Sequence, residues 1–293
     1  MKKKLQKLFV VATKFMSRGL GLSRFKPISW LYNVIFLQLR EVKKIAEISI
    51  PQVGDFKMYL DDKDSLHLSL FGIYEEFEVS LLPREIYEGN VVIDVGANIG
   101  YYTIIFSRLV GDKGVVYAFE PDPVNFEILK KNISLNNCTN VIAEQKALSN
   151  KSGKTSLYIS GENRGDHRIY DPGDGREAID IETVSLDDYL KDLTPRGIDF
   201  LKIDVQGAEV VVLEGANKIL QKSKSVKILS EFWPSAIEKF GKNPSVFFSI
   251  LSNFVLFDVN ATKRTLTPIH DTDDFVAHCS QNANKDANIF AKR

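Results

Sequence analysis

The sequence predicts an α/β fold built on a doubly wound, mostly parallel sheet, and three observations lead there. Short apolar runs that read as buried strands, near 91–95, 115–120, 140–145, 198–204, 226–231 and 254–259, alternate with helical patterns near 99–109, 123–136, 206–221 and 244–252. The run Val91-Val-Ile-Asp94-Val passes directly into a turn carrying Gly96 and Gly100 before the first of those helices. The next strand then ends on a carboxylate, Glu120, 26 residues after Asp94. Strand, glycine turn, helix and a second strand ending in an acid make one crossover unit, and its strand ends open a crevice for a ligand.

Taken in order, residues 1–48 read as helical and basic, with eleven Lys or Arg against two acids, Glu41 and Glu47. The apolar stretch Ile28–Leu39 is too short to span a bilayer. Lys14 and Arg18 interrupt the first apolar region and no small-residue cleavage site follows, so no secretion signal is read. Two readings stay open for this segment: a helix packed on the domain with a solvated basic face, or peripheral contact with an anionic membrane through its basic residues, Trp30 and Phe36. Asp55–Asp61 and Ser65–Phe71 alternate with period two around a charged turn, which predicts a hairpin.

An insertion follows the third core strand. Lys154–Ser160 and Ala178–Val184 read as strands, and the polar, Gly-rich stretch 161–175 between them is long enough to predict a binding or moving loop. The expected organisation is a basic extension over 1–54 and one domain over 55–293 with its core at 88–260. Lys+Arg and Asp+Glu are both 38, which gives no reason to expect a nucleic-acid partner. Cys138, near a helix end, and Cys279, in a late strand, supply neither a disulfide framework nor a thiolate metal cluster. Both read as small packed hydrophobes, compatible with a reducing cytoplasm.

The crevice has a definable chemistry. Glycines at 96 and 100 let the backbone turn off the strand and approach a ligand. The helix starting near Ile99 directs free N–H groups and its positive dipole end into the crevice. Glu120, at the end of the neighbouring parallel strand, can accept both hydroxyls of a ribose. A nicotinamide dinucleotide needs G-x-G-x-x-G, whereas Asn98 stands where the middle glycine should admit the pyrophosphate. A nucleoside cofactor that carries an amino acid instead of a pyrophosphate fits better, and S-adenosylmethionine is that molecule.

The segments Asp94-Val-Gly-Ala-Asn-Ile-Gly-Tyr-Tyr-Thr, Phe119-Glu-Pro-Asp122 and Phe200-Leu-Lys-Ile-Asp204-Val-Gln-Gly-Ala-Glu209 resemble the FkbM family of class I S-adenosylmethionine-dependent methyltransferases, over roughly Asp55 to Phe257. Gln206 departs from the acid usual at that position, so no catalytic role is assigned to it. The resemblance implies a Rossmann-like sheet whose last strand is antiparallel, supplied here by Asp274–His278 or Ala287–Phe290. It implies cofactor contacts at Asp94, Gly96, Asn98, Gly100, Glu120, Asp122 and Asp204, with Ala147 near the adenine and Asp204 beside the transferable methyl group.

Methyl transfer to a hydroxyl requires a base or a metal to take the proton. Asp204 ends a strand and is the first candidate; capping the following helix is its structural alternative. Glu231, at the end of the next strand, is the second, and His167 in the long loop is the third. Asn163 and Arg164 are candidates for substrate contact. Asp204 and Glu231 alone do not define a metal site, and no metal is assigned. The expected activity is O-methylation of a hydroxyl on a sugar, glycoconjugate or secondary metabolite. The alternatives are N-methylation and an inactive cofactor-binding or membrane-associated module.

Overall fold

The computed structural model describes residues 44–192, 197–281 and 286–293, together with Leu5 and Ile35. The basic segment 1–43, apart from those two residues, lies outside the described part, and so does the membrane expectation attached to it. Among the described residues no helix is long and apolar enough to cross a membrane.

Among the described residues thirteen strands, numbered in chain order, set the frame. β1 (Ile45–Ile50) and β2 (Gly54–Tyr59) form a separate two-stranded sheet. β3 (Val91–Val95), β4 (Val115–Phe119) and β5 (Val141–Glu144) belong to the central sheet, while β6 (Ala147–Leu148), β7 (Gly153–Tyr158) and β8 (Ala178–Val184) make a three-stranded one. β9 (Phe200–Ile203), β10 (Lys227–Phe232), β11 (Val255–Asn260), β12 (Thr265–Pro268) and β13 (Ala287–Lys292) complete the central sheet.

The central order is β12-β11-β13-β10-β9-β3-β4-β5. The five strands from β10 to β5 run parallel, and β13 lies antiparallel between β10 and β11. Chain order reverses between β3 and β9, which makes the carboxyl ends of those two strands the switch point where ligands bind in such sheets. β3 is buried at every position because helices cover both faces of a parallel sheet.

Several expectations are corrected here. Ala287–Lys292 is the antiparallel strand, whereas Thr272–Ser280 is a helix capped by Asp271, which accepts from Asp274 N at 2.9 Å. Cys279 is therefore buried in a helix, not in a strand. The hairpin partner of β2 is β1, so residues 45–48 are extended rather than helical and the pair joins both sides of position 54. Leu68–Phe71 is a helical turn instead of a strand. Asp61 accepts from Lys63 N at 2.8 Å and Ser65 N at 3.0 Å, and Asp64 accepts from Ser69 N at 3.2 Å, so local side-chain bonds capture this backbone before it can pair. The predicted helix over 206–221 is two short helices, Glu209–Glu214 and Asn217–Lys222. Between them Gly215 passes so close to the chain at Ser149 that a Cβ would lie 2.0 Å from the Ser149 carbonyl oxygen.

The β1–β2 hairpin explains why the helix Tyr101–Val110 is buried along its first seven residues: the sheet covers one face and Ile48, Phe56 and Met58 cover another. Two asparagines one turn apart on the helix Pro123–Leu135 and its cap hold the hairpin edge. Asn132 accepts from Tyr59 N at 2.6 Å and donates to Tyr59 O at 3.0 Å and Ile99 O at 2.7 Å, and Asn136 accepts from and donates to Lys57 in the same way. Asn132 is fully buried. Asn132→Leu should therefore lower stability by about 1–3 kcal/mol for each backbone group left unsatisfied, read as a lower urea midpoint; an unchanged midpoint would remove this clasp from the account.

Candidate functional site

The switch point is built by backbone approach. Gly96 (φ 78°) leaves β3 so close to β9 that a Cβ would lie 2.0 Å from the Asp204 carbonyl oxygen, and Asp204 N donates to Val95 O at 3.0 Å. No other residue type fits there without moving one of the two strands. Asn98 follows with φ 50° and Gly100 with φ 91° as the residue before the helix. Side chains from four strand ends then meet in one cleft, lined among others by Asp94, Asn98, Glu120, Ala147, His167, Lys202 and Asp204.

Glu120 stands where the ribose acid was expected. Its carboxylate accepts from Asn98 N at 2.8 Å and Asp122 N at 2.9 Å, so both oxygens are oriented and keep lone pairs for further donors. Burial pushes its pKa up to about 8 against those two hydrogen bonds. Asp122 serves first as a helix cap, accepting from Asn125 N at 2.8 Å. Apolar Pro121, Ala147, Leu148, Leu157 and Ile169 form the wall beyond Glu120, flat enough in chemistry for a purine face.

At the other end, Lys202 and Asp94 are direct neighbours across β3 and β9. Lys202 Nζ donates to Asp204 Oδ2 at 3.1 Å and lies 4.4 Å from the Tyr102 ring centre. Burial pulls its pKa down, but the charges of Asp204, Glu75 and Asp94 outweigh that and hold it above the ordinary lysine value. Gln206 Nε2 donates to Asp204 Oδ1 at 3.1 Å and to Glu231 Oε2 at 2.8 Å, so an amide bridges the two carboxylates where an acid would have added a third. Glu231 stands behind Gln206, and burial, then Asp204, keep its pKa raised. Glu209 is buried, its Oε1 accepting from Gly207 N at 2.9 Å, in a local structural bond.

His167 is brought to the cleft. Its Nδ1 accepts from Ser160 N at 3.0 Å, which leaves Nε2 as the protonated nitrogen of the neutral ring, and burial lowers its pKa. The ring thus presents a donor, with Nε2 4.0 Å from Asp122 Oδ1. Arg164 is tied to Asp62 at 2.6 Å, and its carbonyl accepts from Asn125 Nδ2 at 3.0 Å, which fastens the loop across the cleft.

Glu75 is the residue that sequence reasoning missed. It lies at φ 47° before the helix Glu76–Glu85, a left-handed conformation unfavourable for its side chain. Tyr102 Oη donates to Glu75 Oε2 at 2.6 Å, and Tyr101 Oη accepts from Tyr74 N at 3.2 Å and donates to Tyr74 O at 3.1 Å, clamping the segment. A paired Tyr101-Tyr102 at a helix start was visible, but what it holds comes from a loop 27 residues earlier.

The residues fit S-adenosylmethionine. Asp94 Oδ1, Asn98 Oδ1, Asn125 Oδ1 and His167 Nε2 are buried with no partner in the protein, and such atoms cost about 1–3 kcal/mol each unless something pairs with them. Glu120 has spare acceptor capacity for ribose hydroxyls, and the carboxylates around Lys202 suit a cationic centre. Among the described residues no group of three or more His, Cys, Asp or Glu is arranged to hold a metal ion.

The FkbM methyltransferase domain matches residues 94–253, more than half of the chain. The chain belongs to the FkbM methyltransferase family. Its family cofactor is S-adenosylmethionine, the ligand that the cleft fits. Similar proteins include methyltransferase sdnD of Sordaria araneosa (31% identical, 43% of this chain and 60% of that one) and the hexuronic acid methyltransferase AglP of Haloferax volcanii (34%, 50% and 58%). A third is the 31-O-demethyl-FK506 methyltransferase FkbM of Streptomyces tacrolimicus (31%, 45% and 61%). The chain thus spans about 60% of the length of these relatives.

Proposed function

We propose that this FkbM family member transfers the methyl group of S-adenosylmethionine to a hydroxyl of a sugar, glycoconjugate or other small molecule. The single observation that carries this is the cleft at the β3/β9 switch point, with Glu120 at one end and the Lys202–Asp204 pair at the other. The cofactor when bound supplies an electrophilic methyl group. Glu120, with Asn98 and Asp122 behind it, holds the nucleoside, and Gly96 lets the chain leaving β3 pass directly against Asp204. His167 donates to the cofactor rather than acting as a base.

Asp204 meets the acceptor hydroxyl and takes its proton. Lys202 and Gln206 fix both of its oxygens, which supplies the positioning that in-line displacement requires. Two relatives named for a hexuronic acid and for 31-O-demethyl-FK506 support an oxygen acceptor of small-molecule size.

The test uses S-adenosylmethionine carrying a 13C-methyl group and a panel of free sugars, glycosides and hydroxylated lactones. The expected product is an O-methyl ether, recognised by its carbon shift; a label found on nitrogen or carbon would overturn the assignment.

Peripheral membrane contact of residues 1–43 is a separate proposal, resting on their basic charge. The full chain is expected to sediment with anionic liposomes at low salt and a chain beginning at Lys44 to remain in solution. Equal sedimentation of both would refute it.

A further inference from the structure

The buried end of the cleft holds more negative than positive charge. Among the described residues, Asp94 and Asp204 in the cleft lining and Glu75 behind Tyr74 and Tyr102 share one ammonium, that of Lys202. Glu75 has Tyr102 Oη as its hydrogen-bond donor at 2.6 Å, the Tyr74 phenol beside it, and Glu78 as a further like charge on the following helix. Asp94 has Thr103 Oγ1 on one oxygen and nothing in the protein on the other. Glu231 adds another carboxylate across Gln206, and its charge reaches the same Tyr74 ring. Phenols and a threonine hydroxyl can share hydrogen bonds but cannot cancel charge. One ammonium cannot neutralise three carboxylates at low dielectric, so the cluster either keeps a proton or takes in another cation.

This imbalance bears on a difference between the two forms of the cofactor. The methyl donor carries a sulfonium, and the spent product is a neutral thioether; the rest of the two molecules is the same. We propose that Glu75 makes the cleft sense this charge: the cluster gives up a proton when the cationic donor binds and does not do so for the neutral product, so that loss of the methyl group weakens the hold on the spent cofactor. The inference rests on the reading of the cleft as an S-adenosylmethionine site. It adds a residue that lies before position 94 and so outside the segment that the family shares.

The geometry supports Glu75 as the member that titrates. Asp204 is paired directly with Lys202 at 3.1 Å. Glu75 is reached by the same ammonium only through space, over the Tyr102 ring to which it is bonded. Burial then holds Glu75 at a pKa of about 7, against the opposing pull of Lys202. The left-handed backbone at Glu75, pinned by the Tyr101 hydroxyl on both sides of Tyr74, shows that the fold keeps the carboxylate in this setting at a local conformational cost.

The sign follows. A cation favours ionised Glu75, so its binding lowers that pKa and releases a proton. Below about pH 7 the proton must first be removed and the donor binds less tightly; above it this penalty vanishes. For a single group at about 7, the ratio of the two dissociation constants, product over donor, should rise about tenfold between pH 6 and pH 8. Glu120, at about 8, faces the ribose that both ligands share, so its contribution cancels in the ratio.

The test is calorimetric titration of the whole chain with S-adenosylmethionine, S-adenosylhomocysteine and sinefungin, whose amine places a cation where the methyl group sits. Each titration is run at pH 7 in buffers of different ionisation enthalpy, which gives the protons released. S-adenosylmethionine and sinefungin are expected to release about half a proton more than S-adenosylhomocysteine. In Glu75→Gln that excess and the pH dependence of the ratio should vanish, while S-adenosylhomocysteine still binds and so reports an intact fold. Glu231→Gln should keep the excess. Equal proton release for all three ligands, or an excess that survives Glu75→Gln, overturns the proposal. If none of the three binds, the reading of the cleft itself fails, which is a different outcome.

Discussion

Replacing Asp204 with Asn is expected to lower turnover with a hydroxyl acceptor by about 10²–10⁴, the usual contribution of a positioned base, while S-adenosylhomocysteine affinity stays within a few-fold. The amide keeps the shape and the contact with Gln206 but cannot take a proton. It also releases Lys202 from an ion pair, yet that ammonium retains Asp94 as its strand neighbour and the Tyr102 ring beneath it. The backbone bond from residue 204 to Val95 O is unaffected. Single-turnover measurements at saturating acceptor separate chemistry from product release. Near-full turnover in Asp204→Asn, with chemistry rate-limiting, would remove Asp204 as the base and leave Glu231 and Glu75 as the carboxylates to test next.

Glu120→Ala should weaken binding of both cofactor forms by ten- to a hundredfold. Hydrogen bonds to a charged acceptor contribute about 1.5–3 kcal/mol, reached in full above the raised Glu120 pKa of about 8, and each 1.4 kcal/mol is about a factor of ten. The truncation also leaves Asn98 N and Asp122 N without their acceptor, which loosens the turn that carries the pocket. Glu120→Gln retains a carbonyl oxygen for one of those N–H groups and should fall between the wild type and Ala. An unchanged dissociation constant in Glu120→Ala would place the ribose elsewhere.

How much of this was legible in sequence depended on how local the cause was. β3 and β8 occur at the predicted residues, because a fully buried parallel strand and an alternating one each announce themselves within a few residues. Asp94, Gly96, Glu120 and Asp204 could be placed for the same reason: each sits at a strand end, and strand ends in a parallel sheet share one edge. The hairpin was mispaired because Ile45–Ile50 follows a basic helical pattern and its alternation was read as the end of that helix. Leu68–Phe71 alternates as well, but Asp61 and Asp64 decide its conformation through side-chain bonds that periodicity does not see.

Glu75 and Lys202 show the limit for the site. Lys202 reads as one more residue of a β-strand until the register sets it beside Asp94. Glu75 joins it only because the hairpin and the helix Glu76–Glu85 fold back over the start of the helix Tyr101–Val110, and nothing near residue 75 in sequence signals that contact. His167 was found, but its role depends on which ring nitrogen is protonated, and that is fixed by Ser160 N in the folded loop.

The central claim is that the cleft at the end of β3 and β9 is a site for a nucleoside that carries an amino acid. Calorimetric titration of the purified chain with S-adenosylhomocysteine and, in parallel, with NAD tests it most directly. The account predicts one molecule of S-adenosylhomocysteine bound per chain, no heat from NAD, and a ten- to a hundredfold loss of S-adenosylhomocysteine affinity in Glu120→Ala. Saturable binding of NAD in its place, or S-adenosylhomocysteine binding that Glu120→Ala leaves untouched, would contradict it.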